Sequence, residues 1–171
     1  MNKKDILWAP WRIGYVAGNK TRGCFLCSVC KSEKNYENLV LYKGIYAFII
    51  LNLYPYNNGH LMVVPNRHIK NIEKLTAGEG DECTVFIKAS LKILKKVLKP
   101  EGFNIGLNVG KSAGAGVEGH LHFHIVPRWI GDTNFMPVIA GTKVISQSLH
   151  ELYVLLSKEY KTVLGKKTKS I

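Results

Sequence analysis

Residues 119–129, "GHLHFHIVPRW", place His120, His122 and His124 on alternate positions of an otherwise apolar stretch, so three of the chain's six histidines cluster here. Side chains alternate across an extended strand, which puts the three imidazoles on one face and Leu121, Phe123 and Ile125 on the other. One face is then chemical and the other belongs to a core. Successive histidine backbones on that face stand about 6.6 Å apart, close enough for the rings to converge on one ligand group. Two chemistries use such a cluster. An H-x-H pair on a strand can hold a catalytic zinc that generates hydroxide. Against it, no carboxylate or cysteine lies within the triplet, and His124 stands where a metallohydrolase beginning at His120 needs its aspartate. Alternatively, a neutral imidazole attacks phosphorus while a second one binds the phosphate. The preceding "GKSAGAGVEG" favours this second chemistry, because its four glycines let backbone amides approach an anion closely.

A second constellation is "CFLC", in which Cys24 and Cys27 have the C-x-x-C spacing of a zinc knuckle. A structural site of this kind needs two further ligands. Cys30 extends the pattern to C-x-x-C-x-x-C and offers an overlapping pair, so it can replace one ligand. Cys83 lies in a helical region and reads as core.

The elements that must position these residues are legible from periodicity. Leu39 to Lys43, Tyr46 to Asn52 and His60 to Val64 are short, rich in β-branched or aromatic residues, and separated by the turn-formers Lys43-Gly44 and Asn57-Asn58-Gly59. They predict a meander. Thr76 and Glu79 have capping-box spacing, and Ile87, Leu91, Leu94 and Leu98 then recur at helical intervals until Pro100. Phe103 to Val109 predicts another strand, a glycine-rich loop follows from Gly110 to Gly119, and the histidine stretch supplies a strand that ends before Pro127. Leu149, Leu152, Tyr153, Leu156 and Tyr160 mark a final helix. The expected fold is α+β: an antiparallel sheet with one long helix packed on it and a C-terminal helix. No internal repeat is found.

At 171 residues the chain is expected to form a single domain over 1–171, with an N-terminal arm over 1–37 and a basic tail over 161–171. That length removes roughly 70% of the unfolded surface from water without disulfide staples. Four cysteines, three of them at two-residue gaps, suggest metal ligation and a reducing cytoplasm. The N-terminus has Trp8, Pro10, Trp11 and Arg12 where a signal peptide needs an apolar core, and no run approaches transmembrane length. The formal charge of +12 attracts anions generally. Much of it sits at Lys88, Lys92, Lys95, Lys96 and Lys99 and in "GKKTKSI", a pattern expected of a solvated helix face and a frayed end.

Taken together, these motifs resemble the histidine triad family of nucleotide hydrolases and transferases. "GHLHFHIVPRW" is similar to its signature of three histidines alternating with apolar residues, and "NNGHLMVVPNRHI" (57–69) resembles its Gly-His strand with a downstream Pro and His. "CFLC" and "GFNIGLNVG" match in order and spacing, and the resemblance covers roughly residues 8 to 137. "LWAPWR" and "GDTNFMPV" resemble the microbial branch linked to diadenosine tetraphosphate hydrolases and phosphorylases. The resemblance implies that His122 is the nucleophile toward the α-phosphorus, forming a covalent nucleotidyl-histidine, that His124 holds the α-phosphate, and that His120 completes the catalytic set. Water or inorganic phosphate then releases the nucleotide. Asn52 matches the position that binds ribose hydroxyls, although turn formation also explains an asparagine there; Asn108 matches a polar position facing the phosphates. His68 and His120 match positions that complete a structural zinc site with Cys24 and Cys27. His60 reads as a structural or orienting residue, and His150 as surface. The resemblance also implies a homodimer paired through the helix and a strand edge.

One departure bears on the acceptor. Many hydrolases of the family carry glutamine four residues before the first motif histidine, where this chain has Gly116. The glutamine's role must pass to backbone amides, Ser112 or Lys111. The Gly-Ala-Gly loop resembles phosphorylase-like members, which use inorganic phosphate. The competing functions are a plain hydrolase of dinucleoside polyphosphates or nucleoside phosphoramidates, and a nucleotide sensor with little turnover. Nucleic acid as a substrate, through repair of adenylylated DNA ends, is disfavoured because no appended DNA-binding module accompanies the basic charge.

Overall fold

Five short strands, β1 (Val40–Lys43), β2 (Ala47–Leu51), β3 (Leu61–Pro65), β4 (Gly102–Leu107) and β5 (Phe123–Arg128), form one antiparallel sheet in the order β1-β2-β3-β5-β4. The architecture comes from a computed structural model that describes residues 23–132, 145 and 147–165. The "LWAPWR" segment, most of "GDTNFMPV" and the end of the basic tail lie outside the described residues. In chain order the elements are α1 (Phe25–Lys31), β1 (Val40–Lys43), β2 (Ala47–Leu51), β3 (Leu61–Pro65), α2 (Ala77–Leu98), β4 (Gly102–Leu107), β5 (Phe123–Arg128) and α3 (Leu149–Leu164). Short 3₁₀ turns occupy Ile72–Lys74 and Lys111–Ala113. The α+β expectation is met. Among the described residues no helix is long and apolar enough to cross a membrane.

Period-two alternation divides the apolar residues of the sheet between its faces. Ile49, Leu51, Leu61, Val63 and Ile125 pack against Phe86, Ile93 and Leu94 of α2 and Leu152, Leu156 and Tyr160 of α3. Phe48, Ile50, Met62 and Val64 point the other way, toward Leu26 and Val29 of α1. Met62 is the cross-strand partner of His124, so the histidine side of β5 belongs to the α1 face of the sheet. The deepest stripe of α2 runs through Cys83, Phe86, Ala89, Ser90, Ile93 and Leu94, with Ile87, Leu91 and Leu98 half-buried at its flank. Cys83 is core, as expected, and burial pushes its thiol up to about 12. The buried Tyr160 hydroxyl donates to Ser90, which donates to the Phe86 carbonyl, leaving no donor of that pair unmet.

The histidine strand departs from expectation at both ends. Its ladder begins at Phe123, so of the three histidines only His124 lies within β5. His120 and His122 belong to an extended lead-in, held by the Leu121 N–H donating to the Ile69 carbonyl at 2.7 Å. The strand also runs through Pro127 to Arg128. Proline is tolerated there because β3 pairs with β5 only as far as Ile125, leaving that side free of a ladder. The Pro127 carbonyl faces the same gap and accepts from Asn57 at 3.1 Å.

The capping box at the start of α2 forms as predicted: Glu79 N–H donates to the Thr76 hydroxyl, and Thr76 N–H donates to the Glu79 carboxylate. Glu79 does more than cap. Its carboxylate also accepts two hydrogen bonds from Arg67, at 2.8 and 2.7 Å, fastening the segment after β3 to the helix. Those bonds, and then the Thr76 contacts, hold the buried Glu79 carboxyl at about 2, against an ordinary 4.5. A depressed carboxyl stabilises the fold above its unfolded value and loses that contribution as pH falls through the folded one. Glu79→Gln is therefore expected to lower stability at neutral pH by about 2 kcal/mol. Melting curves should show the gap to wild type closing as pH falls from about 4.5 toward 2. A constant gap across that window would show that Glu79 acts through packing alone.

Candidate functional site

The site begins at Gly59, whose φ of +76° favours glycine and where a Cβ would crowd Leu98 and Pro127. It delivers His60, fully buried, beneath β5. The Tyr56 N–H donates to His60 Nδ1 at 3.0 Å, so the His60 proton must sit on Nε2. His60 Nε2 lies 2.9 Å from His124 Nδ1 and donates to it, which places the His124 proton on Nε2. Asn108 Nδ2 stands 3.4 Å from that nitrogen, and turning the amide over brings its oxygen there to accept. Tyr56 stacks on His124, with centroids 5.6 Å apart, and lies tilted against His60 at 4.5 Å. Burial first, and then His122, push His124 down to about 4, so it is a neutral donor at physiological pH.

His122 receives the opposite tautomer. Its Nδ1 is 2.8 Å from the His120 carbonyl, which can only accept, so Nδ1 carries a proton, and in the neutral ring Nε2 keeps its lone pair, with no hydrogen-bond partner among the described residues. The His122 and His124 rings meet edge to face at 4.8 Å. A ring nitrogen lone pair and a hydrogen-bond donor therefore stand side by side. Both rings are buried, which strengthens their interaction with any anion they bind.

The His120 ring turns toward α1. Its Nε2–H donates to the Pro65 carbonyl at 2.9 Å, leaving Nδ1 to face Cys24 Sγ at 3.3 Å and Cys27 Sγ at 3.4 Å. His68 Nδ1 lies 3.2 Å from Cys27 Sγ, and the four ligand atoms all fall within 4.8 Å of one another. Zinc bound tetrahedrally by sulfur and nitrogen separates such atoms by about 3.5 Å, so the cluster can hold a metal with little rearrangement. Cys24 caps α1 and Cys27 follows one turn later, which points both thiols the same way. Burial and Cys24 push the Cys27 thiol up, a penalty that a divalent cation would offset. Cys30 stands outside the cluster and donates to Asn66 at 3.4 Å.

The sequence pattern of the HIT domain matches residues 33–129. The chain belongs to the histidine triad family. It is 41% identical over 162 residues to the AP-4-A phosphorylase of Mycobacterium tuberculosis, an alignment spanning 90% of this chain and 83% of that relative. Among solved structures it resembles a histidine triad nucleotide-binding protein of Sulfolobus tokodaii, with a TM-score of 0.66 and 26% identity, covering 82% of this chain and 93% of that one. A Zn-bound histidine triad protein of Mycobacterium smegmatis shares the fold, with a TM-score of 0.67 and 21% identity over 84% of this chain and 97% of its own.

The other residues expected in this histidine triad protein make fewer contacts with the His60–His124 pair, and only Asn52 is seen beside it. Asn52 does form a turn, its Oδ1 accepting from Tyr54 N–H at 2.9 Å, while its Nδ2 lies 3.5 Å from His60 Nε2. Lys111 and Ser112 lie in the exposed 3₁₀ turn of the glycine-rich loop, and their side chains make no hydrogen bond among the described residues. Gly116 is exposed, with open space where a side chain would go. His150 is exposed and touches Tyr36. Sequence reasoning missed Tyr56, for which a tyrosine in a turn gives no signal. It also missed the carbonyls of His120 and Pro65, which no side-chain pattern can reveal.

Proposed function

We propose that this enzyme moves the nucleotidyl group of dinucleoside polyphosphates such as diadenosine tetraphosphate through a covalent bond to His122. The observation that carries the reading is the paired tautomers: a free Nε2 lone pair on His122 beside an Nε2–H on His124. His122 Nε2 attacks the α-phosphorus as the bond to the bridging oxygen breaks, and a nucleoside triphosphate departs with that electron pair. The departing phosphate is weakly basic, so it leaves without a strong general acid. His124 donates to a non-bridging oxygen and steadies the charge that builds there. An oxygen of inorganic phosphate then attacks from the vacated side, breaks the N–P bond and frees ADP. The balance is diadenosine tetraphosphate plus phosphate giving ATP plus ADP.

Cys24, Cys27, His68 and His120 would hold a structural zinc, whose contribution is to cross-link α1 to the histidine lead-in. Asn52 is assigned to the ribose and Asn108 to the phosphates. The β4 edge, unpaired among the described residues and with Ile105 46% exposed, offers a surface for a homodimer.

The acceptor assignment rests on Gly116, where open space beside the loop leaves room for a second anion and Lys111 can attract it. Millimolar phosphate added to diadenosine tetraphosphate is expected to direct products to ADP plus ATP, and Gly116→Gln to shift them toward AMP. Chromatography showing AMP dominant at every phosphate concentration would leave a hydrolase. Unchanged substrate would leave a binding protein.

A further inference from the structure

A cleft of about 530 Å³ opens beside the histidine lead-in, between the segment after β3 and the end of the glycine-rich loop. Arg67, Lys70, Asn71 and Lys74 line one wall together with His68 of the Cys24, Cys27, His68 and His120 cluster, and Gly119 lines the other. The cleft is joined to the histidine lead-in through the backbone. Gly119 directly precedes His120, whose carbonyl sets the His122 tautomer, and the Ile69 carbonyl accepts from Leu121 N–H. The two walls thus bracket the stretch of chain that leads into His122.

The cations of this cleft are not equivalent. Arg67 is committed to Glu79 and to the Lys74 carbonyl, so its guanidinium serves the fold. The Lys74 ammonium makes no hydrogen bond or ion pair among the described residues. Lys70 reaches across to Glu118 at 3.8 Å, with the two side chains 55% and 46% exposed. So long and exposed an ion pair is worth little, and an anion with several charges can displace it. The result is a basic cleft with two available lysines, and a single carboxylate at its mouth that opposes an anionic occupant.

We propose that this cleft seats the phosphate chain of the departing nucleotide, the nucleoside triphosphate released when His122 attacks a dinucleoside tetraphosphate. The inference rests on His122 as the nucleophile and adds the subsite that distinguishes a long anionic leaving group from a short one. Lys70 and Lys74 attract the chain, Asn71 can donate to it, and Glu118 swings away as Lys70 changes partner. Opposite effects follow from removing the two kinds of charge. Loss of the lysines weakens selection for the polyphosphate, and loss of Glu118 strengthens it.

The test compares diadenosine tetraphosphate with adenosine 5′-phosphoramidate, whose leaving group is ammonia and cannot reach the cleft. In the Lys70→Ala, Lys74→Ala variant, the ratio of kcat/KM between the two substrates is expected to fall about tenfold, and in Glu118→Gln it is expected to rise. A ratio unchanged in both variants, or moving the same way in both, would overturn the proposal. Titration of wild type and variants with ATP and with AMP needs no turnover and so separates the cleft from the nucleophile. A selective loss of ATP binding in the double-lysine variant supports the cleft even if His122 proves not to be the nucleophile. Equal losses for ATP and AMP, or none, would reject it while leaving the nucleophile standing.

Discussion

His122→Asn is expected to lower turnover of diadenosine tetraphosphate by roughly a thousandfold or more, about 4 kcal/mol of lost transition-state stabilisation, while nucleotide still binds. The substitution is chosen for what it retains. An asparagine amide can donate to the His120 carbonyl as the imidazole Nδ1–H does at 2.8 Å, so the lead-in keeps its anchor. It cannot supply a nitrogen lone pair of comparable nucleophilicity, so no N–P bond forms. His124→Gln should behave differently: it removes a donor to the phosphate and is expected to cost about a hundredfold without abolishing the adduct. Acid-quenched wild-type enzyme should carry the nucleotidyl group on His122, detectable by mass spectrometry under conditions that preserve phosphoramidates. Activity of His122→Asn above a tenth of wild type would reject the assignment. Equal losses in the two variants, with an adduct in neither, would also reject the division of labour between the two rings.

The parts of this site that were legible in the sequence are those in which side-chain type and spacing carry the information. Thr76 and Glu79 define a helix start through a local reciprocal bond, so three-residue spacing is enough to find it. Cys24, Cys27, His68 and His120 lie far apart in sequence, and their meeting was implied by family resemblance rather than by periodicity. The strand register was less legible. Alternation of His120, Leu121, His122, Phe123 and His124 looks the same whether or not the backbone is paired, so the pattern could not reveal that the ladder begins at Phe123. Pro127 misled for a related reason, since its cost in a strand depends on which side of β5 is paired. Arg67 illustrates a third limit. Its bond to Glu79 joins two elements, and neither residue's neighbours in sequence announce it.

Replacing Cys24 and Cys27 together with serine is expected to eliminate a tightly held zinc, present once per chain in the wild type, and to destabilise the fold more than any other change considered. Structural zinc contributes on the order of 10 kcal/mol in small sites, and this cluster joins α1, the segment after β3 and the histidine lead-in at one point. The proposed zinc site and the proposed nucleophile are linked through one residue. His120 offers Nδ1 to the two thiols and its Nε2–H to Pro65, and the carbonyl of the same residue fixes the proton of His122. Loosening the His120 ring therefore frees the His122 tautomer, and activity should decline at temperatures where the variant is still folded. Cys30→Ser, which removes a thiol bonded to Asn66 outside the cluster, should retain full zinc content and serves as the control. Metal analysis of protein purified without chelator decides the matter: no zinc in the wild type, or equal zinc in the double variant, would reject the site. Zinc lost from Cys30→Ser as well would show that the third cysteine of the C-x-x-C-x-x-C run shares in ligation, with Cys24 the ligand it replaces.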